Sequence, residues 1–490
     1  MAQLAETTMP ELAETMPETE PTLSITLTPE FNAYPENGIA LMCATIKCAE
    51  AVTECRPVDI VLVLDLSGSM DGEKLGKLIA TIYRLLDVLQ AMFAGKYRVS
   101  ITTFSTDVHT VYPMGPPDIE AVKALVAQFK AEGETNLSGG LFRAAEQLST
   151  LPDEGRSRSV WLLTDGHPST GVRDVESLIT ILTPMLKDTP VNTFGFGFDH
   201  DSNFLSKLAN ATKGMYTYVP RPDGLTDAIA TCLGTTMSHV VQNTSITVRG
   251  RVINVDMNPA DVTPVEDGVC IYVQDMSAGA TFSFLFEFQS PQGITATAKY
   301  INLQTGAVET VEATCDLPVG PSDGVRNPLL VVPIARRLTK AAMRDALAAA
   351  TIGEFPRACV IIDTALVLVH DLETMEPDAI TMFVVDLETA KMGFRDRGAF
   401  HYGGRHFAIQ ADNVHTMQRG STQQEADEDD EEEGYDKGVC RSIADDLDDE
   451  GMYESAEMCA APPPPTLGRA TSSYATAHVT AVREAMLGRK

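Results

Sequence analysis

An uninterrupted apolar run at residues 60–64 is the feature that most constrains the fold of this chain. A strand without a polar side chain on either face must be covered on both sides, as in the centre of a parallel sheet. The run leads directly into Asp65-Leu66-Ser67-Gly68-Ser69-Met70. A carboxylate and two hydroxyls therefore occupy the turn after a buried strand, which is where α/β sheets commonly bind ligands.

Strand-like and helix-like apolar patterns alternate over residues 57–239, which predicts a doubly wound, Rossmann-like α/β domain. The helix after the Asp65 turn has apolar residues at helical spacing from Leu75 to Leu89. Further strands are predicted at 99–104, 159–163, 191–196 and 215–218, with helices at 119–129, 137–148, 175–186 and 203–209. Asp65 and Asp165 both follow apolar strands, so both are expected at the carboxyl edge of one sheet.

The polar residues at this edge predict a site for a hard divalent cation. Thr135 lies in Gly133-Glu134-Thr135-Asn136-Leu137, and Asp165 lies in Thr164-Asp165-Gly166. Together with Asp65, Ser67 and Ser69 they offer only oxygen atoms, which suit Mg²⁺ and also Mn²⁺ or Ca²⁺. Helix and turn capping is the alternative, and it explains Ser67 and Thr135 individually but not the full set.

These motifs resemble the von Willebrand factor A (vWA) domain with a complete metal-ion-dependent adhesion site. Asp65, Ser67 and Ser69 match the D-x-S-x-S of that family, Thr135 its threonine and Asp165 its T-D-G aspartate. The resemblance implies that the hydroxyls coordinate Mg²⁺ while the aspartates bind it directly or through water. It also implies an open coordination position for a carboxylate from a partner protein.

Three neighbouring residues are weaker candidates for ligand binding. Gly68 permits a tight turn and close approach of the backbone to the metal. Asn136 adjoins Thr135, and His167 follows Asp165 by two positions, so either could touch a ligand. For His167 a solvated loop histidine is the alternative interpretation.

Residues 240–320 change to the period-two alternation of an antiparallel β-module. Residues 22–56 contain two strand-like segments that need a sheet to join. The region after the vWA domain resembles the intein-like β region of eukaryotic vWA proteins, some of which carry a RING finger, and of inter-α-trypsin-inhibitor heavy chains. We therefore expect residues 22–56 and 240–320 to form one β-sandwich, into which the vWA domain at 57–239 is inserted.

The remaining segments are predicted to be helical or disordered. Residues 325–390 return to helical spacing, with two helices joined near Gly353. Residues 1–21 form a short acidic repeat punctuated by proline, and residues 391–490 read as a mostly disordered acidic, proline-rich tail with a possible terminal helix at 473–487.

Charge and cysteine usage bear on partners and location. The net charge is −31, and residues 421–460 alone carry sixteen acidic and two basic residues. Such a chain is a poor match for nucleic acid or an anionic membrane, and no apolar stretch is long enough to span a bilayer. Nine dispersed cysteines, the lack of a secretory signal pattern and a glycosylation sequon at Asn136 beside the metal loop favour a cytoplasmic protein.

The sequence predicts a binding protein rather than an enzyme. It contains neither H-E-x-x-H nor a glycine-rich phosphate loop followed by Lys-Ser/Thr, and it lacks the paired Cys/His ligands of a RING finger. The first hypothesis is a Mg²⁺-dependent module that binds an Asp or Glu of a partner protein. The alternative is an adaptor or regulatory subunit of ubiquitin or stress pathways that acts through its tails, with a non-essential metal site.

Overall fold

Three β-sheets and a group of C-terminal helices make up the described part of the computed structural model. The described residues are 21–35, 38–50, 57–152, 155–273, 275–290, 293–373, 375–419 and 474–488. Disorder is predicted for residues 1–21 and for the acidic and proline-rich part of the tail between 420 and 473. Except for Pro21, these residues lie outside the described set.

The elements follow one another in a mixed order of strands and helices. The strands are β1 (Leu23–Pro29), β2 (Ala40–Cys48), β3 (Val58–Asp65), β4 (Tyr97–Phe104), β5 (Val108–Gly115), β6 (Ser157–Thr164), β7 (Val191–Phe196), β8 (Tyr216–Val219), β9 (His239–Arg249), β10 (Val252–Val255), β11 (Val262–Val265), β12 (Gly268–Val273), β13 (Met276–Ser277), β14 (Thr281–Phe288), β15 (Ile294–Asn302) and β16 (Val308–Cys315). The helices are α1 (Glu73–Phe93), α2 (Ile119–Val126), α3 (Leu137–Ser149), α4 (Val175–Leu186), α5 (Ser202–Ala211), α6 (Leu225–Met237), α7 (Val331–Thr351), α8 (Phe355–Glu373), α9 (Pro377–Gly393), the single turn α10 (Arg397–Ala399), α11 (Arg405–Met417) and α12 (Ala477–Leu487).

The central sheet has the strand order β5-β4-β3-β6-β7-β8 and is parallel except for the antiparallel edge strand β5. Strand β3 lies in its middle, and all eight of its residues are buried. Helices cover both faces, which is why the apolar run at 60–64 has no polar interruption. The predicted α/β doubly wound fold is confirmed. Strand β5 was not predicted, because its half-buried residues and Pro113 give a weak strand pattern.

Two antiparallel sheets flank this domain in the chain. One has the order β1-β2-β14-β10, and the other has the order β11-β12-β9-β15-β16 with β13 also paired to β9. Ala44 of β2 faces Phe284 of β14 in the register, so residues before the central domain pair with residues after it. Side chains such as Ile46, Phe284 and Ile246 from the two sheets share one buried core. The expected pairing of residues 22–50 with strands after residue 240 is therefore present.

The two chain connections lie at the end of the α/β domain opposite Asp65. Strand β3 begins at Val58 near one connection, and α6 ends at Met237 just before β9 begins. Eight residues of extended chain span about 25 Å, so Asp65 stands that far from the connection side. The carboxyl edge of the central sheet is thus turned away from the sandwich connections.

The prediction that residues 391–490 are mostly disordered is wrong for the segment that contains α11, whereas the terminal helix predicted at 473–487 is present as α12. Helix α11 is largely buried between the modules, and Val482 and Met486 of α12 belong to the core of the α/β domain. Both helices carry polar residues toward buried partners, such as Arg483 of α12 paired with Asp227 of α6. Such side chains weaken the amphipathic signal and give the segment the composition of a polar tail. Helix α9, beyond the two predicted helices, has a low sequence signal for a similar reason, since the buried Asp386 lies within it.

Amide side chains of α11, and of Gln418 just after it, pair with backbone groups of β8 and β14. The edge strand β8 donates its Tyr218 N–H to Gln410 Oε1 at 2.6 Å and its Tyr216 N–H to Asn413 Oδ1 at 3.3 Å. Gln418 accepts from Ser283 N–H at 3.0 Å and donates to Ser283 C=O at 2.6 Å. An unpaired sheet edge exposes backbone donors and acceptors, so these contacts both protect the edges and hold the two modules together.

We expect Gln410→Leu to lower the free energy of unfolding by about 2 kcal/mol, because it leaves the buried Tyr218 N–H without an acceptor. The exposed Gln128→Leu is the control and should change stability by less than about 0.5 kcal/mol. Urea denaturation of the full chain measures both values. Equal effects of the two substitutions would show that the amide contact contributes nothing.

Two histidines are buried where α11 meets the α/β domain. His200 contacts Gly197 C=O at 2.8 Å and the Tyr216 hydroxyl at 2.7 Å, while His406 Nε2 contacts Phe198 C=O at 2.9 Å. Their ring centroids lie 4.4 Å apart, with the ring planes tilted by 34°. Burial lowers the pKa of His200 to about 3, helped by the neighbouring His406, and burial lowers the pKa of His406 to about 4. Both rings are therefore neutral in the folded protein at neutral pH.

Stability should fall as the pH drops below about 6.5, because the unfolded histidines take up protons that the folded ones do not. Between pH 7 and pH 5 the loss is roughly 2 kcal/mol for each of the two residues. His406→Gln keeps a donor for Phe198 and should remove the roughly 2 kcal/mol that His406 contributes to this pH dependence. The exposed His401→Gln is the control and should leave the slope of unfolding free energy against pH unchanged.

None of the described helices combines the length and apolar character needed to cross a bilayer. The six described cysteines are all free thiols, namely Cys43, Cys48, Cys232, Cys270, Cys315 and Cys359.

Candidate metal site at the carboxyl edge of the central sheet

Three loops meet at the carboxyl edge of the central sheet. The turn after β3 joins the loop before α3 through a hydrogen bond from Gly68 N–H to Gly133 C=O at 3.1 Å. The loop after β6 joins the α3 loop through Thr135 N–H, which donates to Ser169 Oγ at 2.8 Å. The loops that carry D-x-S-x-S, Thr135 and T-D-G are far apart in the sequence but are thus neighbours in space.

Asp65 extends from the end of β3 and is fully buried. Its Oδ1 accepts from Ser67 N–H at 2.8 Å, and its Oδ2 accepts from Thr164 Oγ1 at 2.5 Å. Burial raises the pKa of Asp65 to about 6, and the nearby Asp165 pushes the pKa in the same direction, against the lowering effect of hydrogen bonds from Ser67 and Thr164. The Asp65 carboxylate is therefore oriented by hydrogen bonds, but no described cationic side chain contacts it.

Asp165 connects the two serines to a lysine. Its Oδ1 accepts from Ser69 Oγ at 2.6 Å, and Ser69 Oγ lies 3.2 Å from Ser67 Oγ. Its Oδ2 accepts from Lys74 Nζ at 2.5 Å. The Asp165 side chain is buried, whereas that of Lys74 is 28% exposed. The site thus contains two buried carboxylates, those of Asp65 and Asp165, and the Lys74 ammonium contacts the second of them.

Thr135 closes the third side of the site. Its side chain is buried, and a Cβ on Gly166 would lie 3.6 Å from Thr135 Oγ1 and 3.7 Å from Ser69 Oγ. The hydroxyls of Thr135 and Ser69 therefore both lie close to Gly166. The structure brings Asp65, Ser67, Ser69, Thr135 and Asp165 into one cluster.

The opposite end of β3 carries a second buried aspartate with a different environment. Asp59 receives Arg98 at 2.8 and 2.7 Å and Arg156 at 2.6 Å. Burial alone would raise its pKa, but the hydrogen bonds and charges of both arginines outweigh burial and hold the pKa below its ordinary value. Asp59 is compensated by protein cations alone. No arginine or lysine makes a described contact with Asp65. The two carboxylates of strand β3 therefore differ in whether a protein cation balances their charge.

The donor set fits a hard divalent cation. Within the described residues there is no cluster of three or more His, Cys, Asp or Glu side chains, so an ion here depends on the hydroxyls of Ser67, Ser69 and Thr135. Hydroxyl and carboxylate oxygens are the ligand types of Mg²⁺, Mn²⁺ and Ca²⁺ rather than of zinc. A buried carboxylate that lacks a protein cation is also the group that a bound ion would compensate.

The three weaker candidates have other contacts in the structure. Gly68 links two loops through its N–H, as described above. The Asn136 side chain caps α3 by accepting from Gly139 N–H at 3.1 Å. His167 is exposed and faces Asp201 Oδ2 at 3.5 Å, and the hydrogen bond with Asp201 raises its pKa.

Sequence reasoning missed Lys74, Thr164 and Ser169. Thr164 was within the T-D-G motif, and its role could have been inferred because its side chain at the strand end faces the neighbouring strand β3. Lys74 lies nine positions after Asp65, in the first turn of α1, where a basic residue has no capping function. A basic residue in the first turn of the helix that follows Asp65 was therefore a usable signal.

A G-x-S-x-G pattern, typical of serine hydrolases, occurs at residues 320–324. There Ser322 lies in an exposed loop, and its Oγ accepts from Gly324 N–H at 3.2 Å. The nucleophile of that motif needs a sharp turn from a strand into a helix, whereas β16 ends at Cys315 and α7 begins at Val331. This pattern does not form a hydrolase site.

Fold and site together define the class of this part of the chain. Residues 59–231 match the von Willebrand factor type A domain family and form such a domain. These domains generally act as protein-interaction modules, and they commonly bind a divalent metal at the site built by D-x-S-x-S, threonine and T-D-G.

The domain is homologous to that of inter-alpha-trypsin inhibitor heavy chains. Heavy chain H1 of Bos taurus is 31% identical over 166 residues, which cover 32% of this chain and 18% of the relative. Heavy chain H3 of Homo sapiens is 26% identical over 236 residues, which cover 41% of this chain and 26% of the relative. The chain therefore matches only about a quarter or less of the length of these relatives.

Solved structures with the same fold extend beyond the vWA domain. A von Willebrand factor type A protein from Catenulispora acidiphila superposes with a TM-score of 0.58 at 16% identity, covering 81% of this chain and 97% of that one. The ArnB paralog VWA2 from Sulfolobus acidocaldarius gives 0.55 at 15% identity, covering 82% and 100%. At these identities the likeness shows the fold, including the flanking sheets, and no more.

We expect Gly171→Ala to disturb the site without altering a candidate ligand. Gly171 has φ +73°, and an added Cβ would lie 2.3 Å from Ser138 Oγ and 2.6 Å from Asn136 Oδ1. The variant should lose roughly 2 kcal/mol of stability and bind divalent ions more weakly, because the Thr135 loop must shift. Gly76→Ala is the control: it meets nothing within 4 Å in helix α1 and should be neutral or slightly stabilising. Thermal melts with and without Mg²⁺ compare the two.

Proposed function

We propose that this protein is a Mg²⁺-dependent protein-binding module. In this proposal the hydroxyls of Ser67, Ser69 and Thr135 hold the ion, with Asp65 and Asp165 in support. A Glu or Asp side chain of a partner protein completes the coordination shell. Mn²⁺ and Ca²⁺ are the alternative ions, since they accept the same oxygen ligands.

The observation that carries this proposal is the uncompensated charge of Asp65. The other buried aspartate of the same strand, Asp59, is neutralised by two arginines, whereas the contacts of Asp65 are with the backbone and hydroxyl of Ser67 and the hydroxyl of Thr164, all of them uncharged. Leaving an ionised carboxylate buried without a counter-charge is costly. A divalent cation between Asp65 and Asp165 would supply that charge where the protein does not.

The geometry around the site supports access by a large partner. Gly68 and Ser69 are exposed, and the edge that carries them lies opposite the connections to the sandwich. A bound ion would act as a Lewis acid toward a carboxylate, and this directional, partly desolvated contact would contribute strongly to the affinity for the partner. We propose no catalytic role, in keeping with vWA domains and inter-alpha-trypsin inhibitor heavy chains, which are typically non-enzymatic interaction modules.

Two other aspects of the sequence prediction remain proposals. The comparisons give no support to the cytoplasmic location, which stays a prediction of the sequence. The alternative function through the acidic tail depends mainly on residues 420–473, which lie outside the described part of the chain. It has no better support than the metal-dependent function.

We expect Asp65→Asn to weaken Mg²⁺ binding at least tenfold while the domain stays folded, because the amide keeps an oxygen acceptor for Ser67 N–H but loses the charge. Titration calorimetry of the full chain with Mg²⁺ and with Mn²⁺ measures the affinity. Circular dichroism and the melting temperature report on folding. Asp71→Asn, an exposed carboxylate in the same turn, is the matched control and should bind like the original chain.

The second arm tests capture of a carboxylate by the full chain. A surface that presents glutamate peptides should retain the original chain and Asp71→Asn in Mg²⁺ but not in excess EDTA. Asp65→Asn should be retained in neither condition. Retention that persists in EDTA, or in Asp65→Asn, would contradict the proposal. If deletion of residues 420–473 alone abolished capture, the alternative function through the tail would be favoured.

A further inference from the structure

Lys74 places a positive charge inside the candidate metal site. Its Nζ lies 2.5 Å from Asp165 Oδ2, while the other oxygen of Asp165 accepts from Ser69 Oγ at 2.6 Å. Both oxygens of this buried carboxylate are therefore occupied by protein donors. In this arrangement Lys74 gives Asp165 the counter-charge that Asp65 lacks.

The position of Lys74 in the chain allows its ammonium group to leave. The residue lies in the first turn of α1, directly after Gly72 and Glu73, and its side chain is 28% exposed. A lysine stem has four flexible bonds, and its ammonium is strongly hydrated, so the group can swing into solvent at moderate cost. Asp165, whose side chain is buried and anchored at the end of β6, cannot follow it.

We propose that Lys74 is a built-in competitor for the divalent cation. In the metal-free protein its ammonium group neutralises Asp165 and joins the loop after β6 to the start of α1, and the incoming ion must displace it. This inference rests on the proposed function, since it assigns to Lys74 control over the affinity of that same metal site. Lys74 is a positioning residue that sets how much free divalent ion is needed to complete the site.

The consequence is a site that is folded in both states but binds its ion less tightly than its ligands alone would allow. An ammonium–carboxylate hydrogen bond is one of the stronger protein contacts, and binding of the ion must first break it. Removal of the positive charge also removes its repulsion of the incoming dication. Both effects act in the same direction on the metal dissociation constant.

The test is a metal titration of the full chain and its Lys74→Met variant. We expect the dissociation constants for Mg²⁺ and Mn²⁺ to fall about tenfold in Lys74→Met, by calorimetry and by the electron paramagnetic resonance of free Mn²⁺. The metal-free variant should melt at a lower temperature, because Asp165 loses its counter-charge, and saturating Mg²⁺ should raise its melting temperature more than that of the original chain.

Lys77→Met is the matched control. Lys77 lies one turn further along α1 and pairs with Asp223 rather than with a residue of the site, so its metal affinity should remain that of the original chain. Lys74→Gln is a second neutral variant that keeps a donor for Asp165 and guards against a folding defect in Lys74→Met. It should also bind the ions more tightly.

The outcomes separate this inference from the proposed function. If the original chain binds divalent ions and both neutral Lys74 variants bind with equal or lower affinity, the inference is wrong and the proposed function stands. If neither the original chain nor any variant binds a divalent ion, both are wrong. Tighter binding by Lys74→Met and Lys74→Gln, with Lys77→Met unchanged, supports the inference.

Discussion

The structure depends on one strand that is buried on both faces and has a carboxylate at each end. Strand β3 lies between β4 and β6, so its backbone is fully paired and its position is determined by the whole α/β domain. Asp59 at its start is matched by two arginines, which makes that end a purely structural anchor. Asp65 at the other end is held by a backbone N–H and by Thr164, with no such cation. Because β3 is central in the sheet and Asp65 is buried, a bound ion would be the source of positive charge at that end in the function proposed above.

The flanking modules determine which side of the domain stays accessible. The chain enters and leaves the vWA domain at the end opposite Asp65, and the two antiparallel sheets gather there. Helix α11 then joins the vWA domain to the sandwich through amide side chains that pair with backbone groups of β8 and β14. These contacts are short, buried and directional, so they hold the modules in a defined arrangement in a way that apolar packing alone would not. The start of α11 also reaches the carboxyl edge of the central sheet, where His406 contacts Phe198 C=O just after β7.

Apolar periodicity predicted the α/β domain well, because buried parallel strands and their covering helices carry strong signals. Helix 175–186 and strand 191–196 were predicted with the bounds that the structure shows. The same reasoning failed where burial involves polar side chains. Gln410 and Asn413 make helix α11 look like a polar tail, although each of them pairs with a backbone group, whereas the terminal helix α12 was predicted at 473–487. Strand β5 was missed for a related reason, since an edge strand that is half exposed does not need a regular apolar pattern.

The sequence by itself determined that the side chains of the candidate site would meet, because D-x-S-x-S, Thr135 and T-D-G place oxygen atoms at strand ends that a parallel sheet must bring to one edge. It also determined that strands before and after the vWA domain would need each other, since an isolated strand is not stable. Only the tertiary structure decided the charge balance within the site. Whether Lys74 reaches Asp165, and whether Asp65 has a cation of its own, depends on distances between loops that come from α1, β3 and β6. Electrostatic interactions act through space between residues far apart in the chain, so a linear pattern cannot reveal which charges compensate one another.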